Sequence, residues 1–140
     1  MDIQSVTGWQ DHILAGRQYL KAARNGKTRP AVFNNELVFQ LAAMAIEKFI
    51  VGVAQYHRLM PNDHTLSGLV AELSGVCPLE ADLAGRIKRI ETIDDMCALT
   101  VDHRRSPRDD VIREILEVGC EVARFVDRQV TRVEGDPASA

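Results

Sequence analysis

Only three cysteines occur in this 140-residue chain, Cys77, Cys97 and Cys120, and no two of them form a Cys-x-x-Cys pair. An odd, widely spaced set disfavours both a disulfide framework and a zinc ribbon, so the three read as reduced residues, in the core or near the surface. The nine glycines are scattered through helix ends and loops, without the spacing of a phosphate-cradling loop between a strand and a helix. No Glu-x-x-His pair is present, the spacing that puts two metal ligands on one side of a bundle helix, so no metal and no cofactor is expected. No apolar run is expected to approach the length of a membrane span. The start, Met1-Asp2-Ile3-Gln4-Ser5, has neither a basic nor an apolar leader region. The expected setting is therefore the cytoplasm, with no membrane partner.

What is present is ordinary for a globular domain: 46% hydrophobic and 26% charged residues, with a net charge of -3. The length suits one domain with its own core, about residues 34–130, and a frayed tail over 134–140. A net negative chain is not a general polyanion binder, so any nucleic-acid contact must come from a local basic patch.

Helical periodicity runs through the chain. Trp9, Ile13, Leu14, Tyr19, Leu20 and Ala23 follow a Thr7 cap, and this first helix fades at Asn25-Gly26. Phe33 to Met60 reads as a long second helix capped by Asn34 or Asn35 and ended by Pro61. Asp63 offers a cap for a short third helix carrying Leu66, Leu69, Val70 and Leu73. Pro78 opens a fourth, with Leu79, Leu83, Ile87, Ile90, Ile93, Cys97 and Val101 on its buried side. Ser106, Pro107 and Asp109 resemble the start of a capped last helix, whose stripe runs from Val111 to Val130. No segment alternates as a half-buried strand does. The spacing predicts an all-α fold, an up-and-down four-helix bundle with an additional short helix in one crossover.

Three features could carry chemistry. Lys48 lies about 60° from the centre of the second helix's apolar stripe, which passes through Val38, Ala42, Ala45 and Phe49. An ammonium there either snorkels to water or meets a negative partner or ligand. Arg58 and His64, six positions apart, could supply a cation and a proton-transfer group to a phosphodiester, or His64 could simply dock its helix. His103-Arg104-Arg105 precede a helix N-terminus, whose free N–H groups also favour anions, although Asp102, Asp109 and Asp110 partly neutralise them and no aromatic residue is there to stack a base.

Taken in order, Leu41-Ala42-Ala43-Met44-Ala45-Ile46-Glu47-Lys48-Phe49, then Asp63-His64-Thr65-Leu66 with Leu69-Val70, then Ile93-Asp94-Asp95 through Arg104-Arg105-Ser106-Pro107 and the last amphipathic helix, the chain resembles the HEPN family of nucleotide-binding domains. The resemblance spans roughly Asn34 to Val130. It implies a small helical bundle, commonly a homodimer, in one of two forms. One is a metal-independent ribonuclease, often a toxin paired with a nucleotidyltransferase antitoxin. The other is a non-catalytic module that binds a nucleotide, RNA or another nucleic acid. Ribonuclease members carry Arg, four to six residues, then His near the start of the last long helix. This chain has His103-Arg104-Arg105 there, in reversed order, and the matching spacing falls instead at Arg58 and His64. The expectation is a non-catalytic binding domain with Lys48, His64, Arg104 and Arg105 as contacts. A ribonuclease using Arg58 and His64, and a purely structural or protein-interaction subunit, are the alternatives.

Overall fold

The computed structural model describes the backbone of residues 3–29, 34–99 and 107–134, and the side chains of 8–29, 34–93 and 107–130. Every regular element in these segments is an α-helix: α1 (Ile3–Lys27), α2 (Asn35–Tyr56), α3 (Leu66–Ser74), α4 (Ala81–Leu99) and α5 (Asp109–Glu134). The all-α expectation holds. Arg104, Arg105 and the Ser106 cap lie outside the described residues, as does the tail beyond Glu134.

The helices form an up-and-down bundle centred on α2, which packs against α1, α3 and α5, while α4 packs on α3 and α5. Gly8 faces Gln55 and Gly16 faces Phe49, so α1 and α2 run antiparallel. Leu20 touches Gly119 and Arg17 pairs with Asp127, so α5 runs antiparallel to α1. By length and composition α2 could span a membrane, contrary to the reading of short apolar runs, and 61% of its most apolar window is buried inside this bundle. Six consecutive residues, Phe49 to Ala54, are buried all round the helix because neighbours cover it on three sides. The short α3 contributes Leu69 and Leu73, both fully buried, and so belongs to the core as well as to the crossover.

Helix ends differ from the sequence reading in ways that local chemistry explains. Helix α1 begins at Ile3, which puts Thr7 inside it and not at a cap. Helix α2 is capped by Asn34, whose side chain accepts from Leu37 N at 2.8 Å, and stops at Tyr56, before Pro61 can act. Arg58 adopts φ 62°, and its N–H donates to Gln55 O at 2.8 Å while Leu59 N donates to Ala54 O at 2.8 Å. That is the paired hydrogen-bond pattern with which a left-handed residue closes a helix, a position that favours glycine. Arg58→Gly is therefore expected to raise stability by roughly 0.5–1 kcal/mol, less than the full left-handed penalty because glycine also loosens the unfolded chain. A urea titration reads this directly, and a lower midpoint for the variant would reject the assignment.

Thr65, not Asp63, caps α3: its hydroxyl accepts from Gly68 N at 3.1 Å. Asp63 accepts from Thr65 N at 2.9 Å, and that bond, aided by the Thr65 side chain and His64, holds its carboxyl below the ordinary aspartate range. Glu91 of α4 accepts from Ser67 N at 3.1 Å and ties α4 to the start of α3. Helix α4 starts at Ala81, three residues after Pro78, with Ala84 N donating to Glu80 O. Helix α5 starts at Asp109, not at Pro107, with Ile112 N donating to Arg108 O, and Asn35 Nδ2 donates to both the Pro107 carbonyl, at 2.9 Å, and the Asp109 carboxylate, at 2.8 Å. Asn35 thus staples the start of α2 to the start of α5.

Candidate functional site

Lys48 is half-buried at the edge of α2's buried face, and no hydrogen bond or ion pair engages it among the described residues. Arg58 and His64 are both exposed, in the loop between α2 and α3, with Arg58 occupied as the helix-closing residue. Lys48 lies two helical turns before Tyr56, about 12 Å along the axis, and no hydrogen bond or ion pair joins it to Arg58 or His64. Among the described residues no three His, Cys, Asp or Glu side chains are grouped to hold a metal ion. Burial pushes the Cys77 thiol up and leaves it a core residue.

A different place gathers charge. The outer face of α5, from Arg113 to Arg124, borders an open groove of about 670 Å³ lined by Lys27, Arg113, Leu116, Glu117, Cys120, Glu121 and Arg124. Its α5 residues recur at intervals of three, one, three, one and three, which places them on one helix face. Lys27 arrives from the last turn of α1. Arg113 and Arg124, eleven residues apart, point within about 20° of each other and stand about 16 Å apart along the axis. Between the cations the lining alternates apolar and acidic residues: Leu116 is buried and Cys120 half-buried, with Glu117 and Glu121 beside them.

The two carboxylates of the groove are engaged from its α4 side. Arg86, its side chain 15% exposed, donates through Nη1 to Glu121 at 3.0 Å and through Nη2 to Glu114 at 3.0 Å and Glu117 at 3.1 Å. Arg89 adds a contact to Glu114 at 3.3 Å. Partial burial lowers the Arg86 pKa, and the hydrogen bonds and charges of Glu114, Glu121 and Glu117 outweigh it, so the net shift is upward and the guanidinium stays charged. With the acids so occupied, no ion pair engages Lys27, Arg113 or Arg124 among the described residues. The groove can therefore offer three donors of positive charge to an anion.

The sequence reading singled out none of these groove residues as a contact, and named Cys120 only as one of three reduced cysteines. Along α5 the order Arg113, Glu117, Glu121, Arg124 reads as a self-neutralised solvent face, since Arg113 and Glu117 are four residues apart and Glu121 and Arg124 three. Comparison with family models, with curated protein sequences and with solved structures finds no match to this chain.

Proposed function

We propose that this chain is a non-catalytic, HEPN-like binding domain that holds the phosphates of a nucleotide or nucleic acid in the α5 groove. The observation that carries the reading is the set of cations unpaired among the described residues, Lys27, Arg113 and Arg124, in a groove whose two lining carboxylates, Glu117 and Glu121, are engaged by Arg86, in a chain of net charge -3. A groove of about 670 Å³ is within the usual range for a small-molecule site. Its lining contains no aromatic residue, so binding rests on phosphate charge and not on base stacking. The resemblance adds a homodimer or a nucleotidyltransferase partner to the same reading.

Titration of the protein with ATP in EDTA, and with a fluorescein-labelled oligoribonucleotide, tests it. Both are expected to bind at low salt. If the oligonucleotide engages all three cations, log K should fall against log salt with a slope near -2. Absence of binding by either ligand, or affinity indifferent to salt, would overturn the proposal.

A further inference from the structure

We infer that the anion affinity of the α5 groove is set from a distance by Arg86, so that anion binding and the docking of α4 onto α5 are coupled. The inference rests on the reading of the groove as an anion site and concerns what creates it. In α5 taken alone, Glu117 lies four residues after Arg113, and Glu121 lies three residues before Arg124. Both separations put the side chains side by side on a helix surface, where opposite charges pair. In the folded bundle neither pair forms. Arg86 reaches across from α4 and takes Glu117 at 3.1 Å and Glu121 at 3.0 Å, together with Glu114 at 3.0 Å.

Arg86 prevails because its fork presents several donors in one plane and can serve three carboxylates at once, at a place where its own side chain is only 15% exposed. Arg113 and Arg124 stand on the open face and compete with water. The outcome is a division of partners on α5: Glu117 and Glu121 still border the groove, but their carboxylates are engaged by Arg86, and Arg113 and Arg124 are left without an ion pair among the described residues. When α4 undocks or Arg86 is removed, Glu117 and Glu121 are free to turn back to Arg113 and Arg124, and the groove neutralises itself. By thermodynamic reciprocity an anion in the groove favours the docked position of α4 as much as docking favours the anion. Arg86 touches no ligand in this scheme and is a positioning residue.

The test uses inorganic tripolyphosphate as the probe, titrated calorimetrically into the native chain, Arg86→Met, and Arg86→Met combined with Glu117→Gln and Glu121→Gln. Arg86→Met is expected to lose affinity about tenfold, since two carboxylates then face the anion at short range, only partly screened by salt. The triple variant, still lacking Arg86 but unable to neutralise the groove, is expected to return to within about threefold of native. If Arg86 acted only structurally, the two glutamines would raise affinity equally with and without it, so Glu117→Gln with Glu121→Gln is also titrated in the native background, where the gain is expected to be much smaller than in Arg86→Met. If Arg86→Met does not fold, as judged by its helical circular dichroism, Arg86→Lys replaces it. A single ammonium cannot hold the three carboxylates in the same fork, so affinity should again fall, and the two glutamines should again restore it.

Equal affinity in the native and Arg86-substituted chains, or no recovery in the variant with both glutamines, would overturn the coupling while leaving the anion site standing. No binding of tripolyphosphate by the native chain would overturn both.

Discussion

Phe49→Ala is expected to destabilise the bundle by about 3–5 kcal/mol, the range for emptying a fully buried aromatic site. Phe49 is 0% exposed and lies within α2, the helix against which α1, α3 and α5 all pack. Its ring lies directly on Gly16 of α1, where an added Cβ would stand 2.7 Å from Cδ1 and 2.8 Å from Cε1. Gly16→Ala is therefore also destabilising, by about 1–2 kcal/mol, because overpacking outweighs the roughly 1 kcal/mol that alanine contributes as a better helix former. The two changes should not add. In the double variant the new methyl enters the space the ring has left, so its loss should be at least about 1 kcal/mol smaller than the sum of the singles. Chemical denaturation of the four proteins measures the cycle, and additivity within error would mean that Gly16 and Phe49 are not in contact. Gly85→Ala is the control: on the exposed side of α4, an added Cβ would meet nothing within 4 Å, and the variant should gain stability, by roughly 0.5–1 kcal/mol.

Arg113→Glu with Arg124→Glu is expected to weaken phosphate-ligand binding at least about 100-fold at low salt, with the fold intact. A hydrogen bond to a charged group is worth roughly 1.5–3 kcal/mol, and the double variant removes two such donors and adds two repulsive charges. Both arginines are exposed, so neither supports the core and little stability should be lost. The measurement is a parallel titration of ligand binding and thermal unfolding. An affinity unchanged by the double reversal would take the ligand out of this groove. Unfolding of the variant would show that the two arginines are structural.

Much of the fold was legible because it depends on contacts close in sequence. The Leu66, Leu69, Val70 and Leu73 spacing placed α3, and the Val111 to Val130 stripe placed α5, since a 3.6-residue period needs only the chain itself and a nonpolar neighbour. The ends were harder. Asp63 and Thr65 are both good caps by residue type, and in the structure Thr65 caps the helix while Asp63 accepts from Thr65 N in the preceding turn. Arg58 carries no sign of its left-handed backbone, because that conformation is normally announced by glycine. Lys48 stood out as a charge at the edge of an apolar stripe, and the structure leaves it there, half-buried and unpaired among the described residues.

The candidate site was legible only in part. A polar groove was expected with Lys48 and His64 among its contacts, and neither of them lines the α5 groove. The residues of the α5 groove were hidden by their own neighbours, since each arginine is followed or preceded at pairing distance by a glutamate.

The amino-acid sequence by itself determined the helices, their order and the faces they bury, because periodicity and capping act within a few residues. Only the tertiary structure decided which charges remain free. An ion pair between neighbours on one helix is worth a few tenths of a kcal/mol, and a forked guanidinium from another helix is enough to displace it. Arg86 lies 27 residues before Arg113, and the packing of α4 on α5 is what brings it to the glutamates that would otherwise close the groove.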